Sequence, residues 1–227
     1  RKDKAEAHER ECIVRHADGK QVQFISIFEN DIDFNDPERV LSGATKLILG
    51  GSATLYLGEG HEGNDEESAR YMSRAINPTL RYVTEHDFPT LGVCLGHELL
   101  GSFLGAPVVH DPKMAEGGFS KILLTKEGQS DRLFQNVPGE FYAVAGHKDS
   151  VVSLPSDTVH LASNEVCPVQ AFRYKDNVYG TQFHTELDAQ DFERRFSLYP
   201  EYTANRRESE PRDTSHAQRI LTNFVEL

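Results

Sequence analysis

An α/β fold, with a mainly parallel sheet flanked by helices and an antiparallel β extension, is what this sequence predicts. Three observations carry the prediction. In the first half, short apolar runs alternate with segments of helical spacing, the pattern of strand–helix–strand units. In the second half, β-rich runs follow one another across turn sequences, the pattern of hairpins. Between the halves, Gly92-Val93-Cys94-Leu95-Gly96 joins an apolar run to a helix-like segment, the form of a sharp strand-to-helix turn above a parallel sheet.

The elements follow in chain order. Residues 1–11 are charged and are expected to be solvated and flexible. Residues 22–28 are apolar and β-rich and predict a strand. Residues 45–49 predict a short buried strand ending in Gly50-Gly51. A polar, glycine-rich loop follows over 52–64. Asn64 or Asp65 then caps a helix whose acidic first turn, Asp65-Glu66-Glu67, suits its dipole. Met72, Ala75 and Ile76 lie at helical spacing in it, and Pro78 starts a new turn or kinks it. Residues 89–93 form the strand that feeds the turn at Cys94. Residues 95–104 form the helix after it, with Leu95, Leu99, Leu100 and Phe103 on one face and Gly105 as terminator. Strands are predicted over 107–109, 121–125, 141–145 and 159–162. Two more, 169–174 and 178–183, flank the hairpin turn Lys175-Asp176-Asn177. Residues 188–198 are helical, 199–215 are charged and read as a surface excursion, and 217–227 close the chain as an amphipathic helix.

The 227 residues suit one domain spanning 1–227. A chain of this length buries about 70% of its unfolded surface and needs no disulfide or metal to fold. The formal net charge is −12, from 36 acidic and 24 basic residues. That balance excludes a nucleic-acid-binding surface, which needs clustered cations to neutralise phosphates, and disfavours an anionic membrane surface. The three cysteines, Cys12, Cys94 and Cys167, are widely spaced and form no C-x-x-C pair. Neither a disulfide framework nor a zinc site is supported, and a reducing, cytoplasmic compartment is expected. No apolar run approaches the ~18 residues of a membrane span. Gly58, Gly60 and Gly63 lack the G-K-[ST] of a phosphate-binding loop. No cofactor and no metal is implied.

The chemistry begins at Cys94. A cysteine on such a turn sits at a helix N-terminus, where the macrodipole favours the thiolate. A base is then needed, and His184 ends a strand-like stretch with Glu186 two residues on. Residues i and i+2 of a strand point to the same side. His184 is thus the candidate base and Glu186 its orienter, the logic of a catalytic triad. Taken singly, a lone cysteine or histidine in an apolar stretch is ordinarily a core residue. It is the combination, with the glycine pair at 50–51, that carries the reading.

These segments together resemble the triad-type class I glutamine amidotransferases, over residues 22–227. That family carries its nucleophile on a G-[VI]-C-x-G-x-Q turn, here Gly92-Val93-Cys94-Leu95-Gly96-His97-Glu98. Its Q-F-H-x-E segment is here Gln182-Phe183-His184-Thr185-Glu186, and its glycine pair is Gly50-Gly51. Its S-H-G-D-type segment is similar to Gly146-His147-Lys148-Asp149, followed by Val151 and Leu154-Pro155. The pattern lies nearest the subgroup of the GMP synthase amidotransferase domain.

The resemblance implies a flavodoxin-like sheet and a cysteine thioester mechanism on L-glutamine that yields glutamate and ammonia. It implies Cys94, His184 and Glu186 as catalytic residues, the backbone N–H groups of Gly51 and Leu95 as oxyanion donors, and Gly50, Glu98, Gly146, His147 and Lys148 as substrate contacts. It implies an ATP-dependent synthetase, as a separate subunit or domain, as the partner that takes the ammonia. The S-G-G-x-D-S-type ATP loop of GMP synthase does not occur here, so a standalone subunit or a domain cut from its acceptor is expected. Two positions depart from the family. Glu98 stands where it has Gln, exchanging an amide donor for a carboxyl, and Lys148 stands where glycine is common. The change at 98 keeps open an alternative, a partner-independent γ-glutamyl hydrolase acting on a peptide or conjugate. A non-catalytic regulatory protein on the same fold is a third reading.

Overall fold

The computed structural model describes residues 4–28, 32–53, 55–58, 77–199, 206–208 and 210–227. The helix expected at 65–76 lies outside the described residues. Helix α1 spans Glu6–Arg15 and the single turn α2 spans Pro37–Val40; strand β1 is Leu47–Leu49. Residues 77–86 form α3. Strand β2 (Thr90–Val93) leads into helix α4 (Leu95–Phe103). Then come β3 (Val108–His110), β4 (Glu116–Leu124), the short α5 (Lys126–Ser130), β5 (Glu140–His147), β6 (Asp149–Val151) and β7 (Thr158–Ser163). The hairpin β8 (Ala171–Tyr174) and β9 (Val178–Thr181) precedes α6 (Ala189–Leu198), β10 (Arg206–Glu208) and α7 (Ser215–Glu226).

The main sheet runs β1-β2-β9-β8-β7-β4-β10, with β5 paired to β4. Its first three strands are parallel, with Leu49 opposite Gly92 and Gly92 opposite Gly180. From β9 through β8 and β7 to β4 and β5 the pairing is antiparallel. The parallel half with its antiparallel extension is the architecture the alternating and then clustered strands predict. Strands β3 and β6 pair separately.

Successive residues of β8 and β9 point to opposite faces, as the two-residue strand period requires. Ala171 and Tyr179 join Ile122, Phe141, Phe183 and the α7 residues Ile220, Leu221 and Phe224 on one face. Phe172 and Val178 join Leu80 and Val83 of α3 and Leu95 and Leu100 of α4 on the other. Each of the Val, Leu, Ile and Phe side chains among them contributes about 1.5–3 kcal/mol by leaving water. Both faces of the sheet are thus covered.

Three expectations are corrected. Of residues 1–11, the described ones, 4–11, are not a solvated tail: α1 and its cap bury Ala5 and Cys12 against Phe192, Phe196 and Tyr199. Its polar residues are matched as well, His8 to Asp191 at 3.0 Å and Arg15 to Asp191 at 2.7 Å. Long-range pairing fixes a segment whose charge alone reads as solvated. Residues 22–28 do not form a strand. Residues 22–27 line, with β1, a cleft of about 970 Å³, so a gap lies between them and the β1 edge. Within 199–215, Tyr199 and Thr214 are buried, and β10 pairs parallel to β4 with Arg206 opposite Gly117.

Two glycines let α4 close on the sheet. A Cβ at Gly96 would lie 2.2 Å from the Leu49 carbonyl oxygen, and one at Gly92 would lie 2.4 Å from the Gly96 carbonyl oxygen. Backbone cannot yield as a flexible side chain can. Gly96→Ala should therefore cost about 1–3 kcal/mol or more in denaturant unfolding, the usual scale of overpacking. Gly139→Ala, whose Cβ meets nothing nearer than 3.6 Å, should cost less than about 1 kcal/mol.

Candidate active site

Three adjacent parallel strands end on one edge, where open α/β sheets place their ligands. Strand β1 delivers Gly50-Gly51, β2 delivers Cys94, and β9 runs on through Gln182 and Phe183 to His184. Cys94 adopts φ 55° and ψ −108° as the cap of α4, a conformation that a non-glycine residue adopts only under constraint. Its N–H donates to the Thr181 carbonyl at 2.9 Å, and the His184 N–H donates to the Val144 carbonyl at 2.8 Å. Those two bonds pin the sulfur and the imidazole to the sheet.

The side chains then converge. The Cys94 Sγ lies 3.7 Å from the Gly146 carbonyl oxygen. A Cβ on Gly146 would stand 3.9 Å from His184 Nε2, and one on Gly51 would stand 3.6 Å from His184 Cε1 and 3.8 Å from Cys94 Sγ. On its far side, His184 Nδ1 meets Glu186 Oε1 at 2.7 Å. Cys94, His184 and Glu186 are all buried. Burial alone would raise the Glu186 carboxyl. The His184 charge and hydrogen bond, with Arg195 nearby, outweigh it and bring it down to about 2. Leu95 is the first residue of α4, and the N–H groups of a first helical turn have no intrahelical acceptor. The arrangement can ionise a thiol, shuttle its proton and hold a developing oxyanion.

The other expected contacts lie elsewhere. Glu98 accepts a hydrogen bond from the Gln182 amide at 2.9 Å. Burial holds its carboxyl well above the ordinary value, against the Gln182 bond and with Asp149 adding to the rise. Burial thus favours the neutral form of this acid, which stands where the family has a neutral amide. His147 turns to Glu116 at 3.1 Å, in a buried network that Gln170 joins at 2.6 Å from Glu116. Lys148 lies over the Tyr56 ring and reaches its hydroxyl at 3.1 Å. Asp149 accepts the Leu57 and Gly58 N–H groups at 2.9 and 2.6 Å, tying down the loop after the glycine pair. His97 packs against Phe172, its ring centroid 4.9 Å away, with a pKa pushed down by burial to about 3.

Two residues near the centre escaped the sequence reading. Arg195, on α6, lines a cavity of about 40 Å³ beside Cys94, Gly146 and His184. Its trace in the sequence is the helical spacing from Asp191. Glu9, on α1, accepts a hydrogen bond from the Gly51 N–H at 3.1 Å. Nothing local marks it, because the contact spans 42 positions.

Comparison with known proteins follows the same lines. The family model "Glutamine amidotransferase class-I" matches residues 60–197. A subunit of the glutamine-hydrolyzing GMP synthase of Thermoplasma acidophilum is 32% identical over 163 residues, which cover 71% of this chain and 71% of that one. Its counterpart in Thermoplasma volcanium is 33% identical over 168 residues, covering 73% and 75%. The crystal structure of a candidate GMP synthase subunit from Thermoplasma acidophilum superposes with a TM-score of 0.64 at 26% identity, covering 90% of this chain and 93% of that one. A glutamine amidotransferase from Thermotoga maritima, at 19% identity, shares the fold with a TM-score of 0.58 and coverage of 79% and 78%.

Two outcomes follow for the buried groups. Glu186, with its depressed pKa, contributes stability that is present above about pH 4.5 and is lost as pH falls toward about 2. Glu98 is opposite in sign: its contribution is full below about pH 4.5 and is lost as pH rises toward its raised value. Unfolding measured across pH should thus show Glu186→Gln flattening the acid limb and Glu98→Gln gaining on the parent as pH rises. Among the thiols, burial lifts Cys12 and Cys167 to about 12. Iodoacetamide should modify Cys94 ahead of both by at least about tenfold, mapped by peptide mass spectrometry.

Proposed function

The chain belongs to the class I glutamine amidotransferases, and from that premise we propose that it hydrolyses the side-chain amide of L-glutamine through Cys94 and delivers the ammonia to a partner synthetase. The observation that carries this reading is the buried 2.7 Å contact of His184 with Glu186, on the strand end beside the Cys94 turn. That pair holds the imidazole in one tautomer, with Nε2 directed to the side of Gly146 where the Cys94 sulfur lies.

The steps are these. His184 takes the thiol proton, and Cys94 Sγ attacks the substrate Cδ. The carbonyl oxygen becomes an oxyanion, for which the Gly51 and Leu95 N–H groups are the proposed donors. The C–N bond breaks as His184 returns the proton to the leaving nitrogen, releasing ammonia and leaving a γ-glutamyl thioester. A water, deprotonated by His184, then attacks the thioester. Glutamate departs and the thiol is restored. Glu186 stays anionic throughout and stabilises the imidazolium.

The similarity to proteins named as one subunit of a glutamine-hydrolysing GMP synthase supports an acceptor on a second polypeptide. We propose an ATP-dependent synthetase in that role, because ammonia displaces an oxygen only once that oxygen is activated. Burial favours the neutral form of Glu98, which bonds Gln182, and that form does not repel a substrate carboxylate. This weakens the motive for the γ-glutamyl hydrolase alternative. Among the described residues, no helix is long and apolar enough to cross a membrane.

Glutamate release from L-glutamine tests the proposal. The parent should turn over and Cys94→Ala should not. Glu186→Gln should lower kcat by about 10²–10⁴, the scale of a lost orienting anion. Turnover that persists in Cys94→Ala would overturn the assignment of the nucleophile.

A further inference from the structure

Glu9 is placed where the proposed reaction needs an empty backbone donor. Its Oε1 lies 3.1 Å from the Gly51 nitrogen and 2.9 Å from the position of a Cβ on Gly50. A Cβ on Gly51 would touch both Cys94 and His184. A carboxylate on a backbone N–H is a charge-assisted hydrogen bond, stronger than the neutral bond a substrate carbonyl would make. Chemically, the group on that donor is the γ-carboxyl of a glutamate, which is also the product of the proposed hydrolysis.

The helix that carries Glu9 is bolted to the active-site side of the molecule. On α6, Asp191 accepts from Arg15 at 2.7 Å and 3.2 Å and meets His8 at 3.0 Å. Arg195 reaches His8 at 3.3 Å, and Arg194 pairs with Glu11 at 2.7 Å. Tyr199 receives the Ala5 N–H at 3.2 Å. The latch is a polar network beside the apolar contact of Ala5 and Cys12 with Phe192, Phe196 and Tyr199; Arg15 at its rim is half-exposed, and none of these residues belongs to the sheet. The cavity beside Cys94 and His184, walled on this side by the α6 residues Arg195 and Phe196 to which α1 is tied, measures about 40 Å³. That is room for a few waters, against the ~300–1,000 Å³ of ordinary small-molecule sites. Glu9 itself lines, with Gly50 and Gly51, the far larger cleft along β1.

We propose that α1 is an internal inhibitor, in which Glu9 occupies the Gly51 oxyanion donor as a tethered mimic of the glutamate product. Glutamine engages the site only when α1 lifts from α6, so any partner that competes for α6 or for α1 switches the enzyme on. The inference rests on the glutamine reading above, and the test separates the two.

Glu9→Ala is compared with the parent in the full chain by two readouts: glutamate release from L-glutamine, and the second-order rate of Cys94 alkylation by iodoacetamide. Both should rise by about tenfold or more, the weight of one charge-assisted hydrogen bond. Arg15→Ala, remote from the cysteine, should raise both in the same direction by loosening the latch, and it serves where Glu9→Ala fails to fold. Faster alkylation without glutamine turnover in any variant would uphold the plug and overturn the glutamine reading. Parent-like or slower alkylation in both variants, with parental turnover retained, would overturn the plug and leave the glutamine reading standing.

Discussion

The placement of the nucleophile, on which the rest of the site converges, depends on the left-handed backbone at Cys94. A side chain at φ 55° lifts the sulfur off the sheet, but the chain adopts that angle only if the strand before it and the helix after it close tightly around it. Gly92 and Gly96 are the two positions where that closure leaves no room for a Cβ, the first against α4 and the second against the β1 backbone. The same closure brings Gly51, just beyond the end of β1, to where a Cβ on it would lie 3.8 Å from the sulfur. Nucleophile and proposed oxyanion donor are therefore spaced by a single packing event, the docking of α4 on β1 and β2. The His184–Glu186 pair is set independently, by the next strand over.

Two buried carboxylates within this region are handled in opposite ways, and the contrast shows what decides the outcome. Glu186 is as deeply buried as Glu98, yet one is driven down and the other up. The difference is the partner: an imidazole that can carry a positive charge beside Glu186, a neutral amide beside Glu98. Desolvation is common to both, and only an opposite charge overcomes it. The result is one anion that can support an imidazolium and one acid that acts as a polar spacer.

The parts of the fold visible in the sequence are those whose signal is local. The turn at Cys94, the β8–β9 hairpin through Lys175, and the apolar faces of α4 and α7 are written in contiguous residues. The Cys94 turn and the His184-x-Glu186 segment are also legible as motifs, and Gly51 enters through the family resemblance; the sheet edge they share comes from the strand order of the structure. What was not legible depends on partners far along the chain. Helix α1 has little amphipathic character of its own and is held by residues of α6 about 180 positions away. The strand expected over 22–28 has the right composition, but strand formation also needs an edge within reach, and composition does not report that. Glu98, His147 and Lys148 were assigned by motif position, and the direction each takes is set by Gln182, Glu116 and Tyr56, which no spacing rule connects to them.

Strand β9 has a place in the sheet out of keeping with its place in the chain. It lies between β2 and β8, the only ladder joining the parallel half to the antiparallel half among the described strands, and it emerges after almost four-fifths of the sequence. Until residues 178–181 are available, β2 lacks its inner neighbour and the two halves of the sheet have no hydrogen-bonded seam. During synthesis, the reactive cysteine therefore leaves the ribosome long before the sheet edge that shelters it exists. Folding of this chain is correspondingly dominated by contacts of high sequence separation, the class that forms slowly and leaves strand edges exposed in the interim.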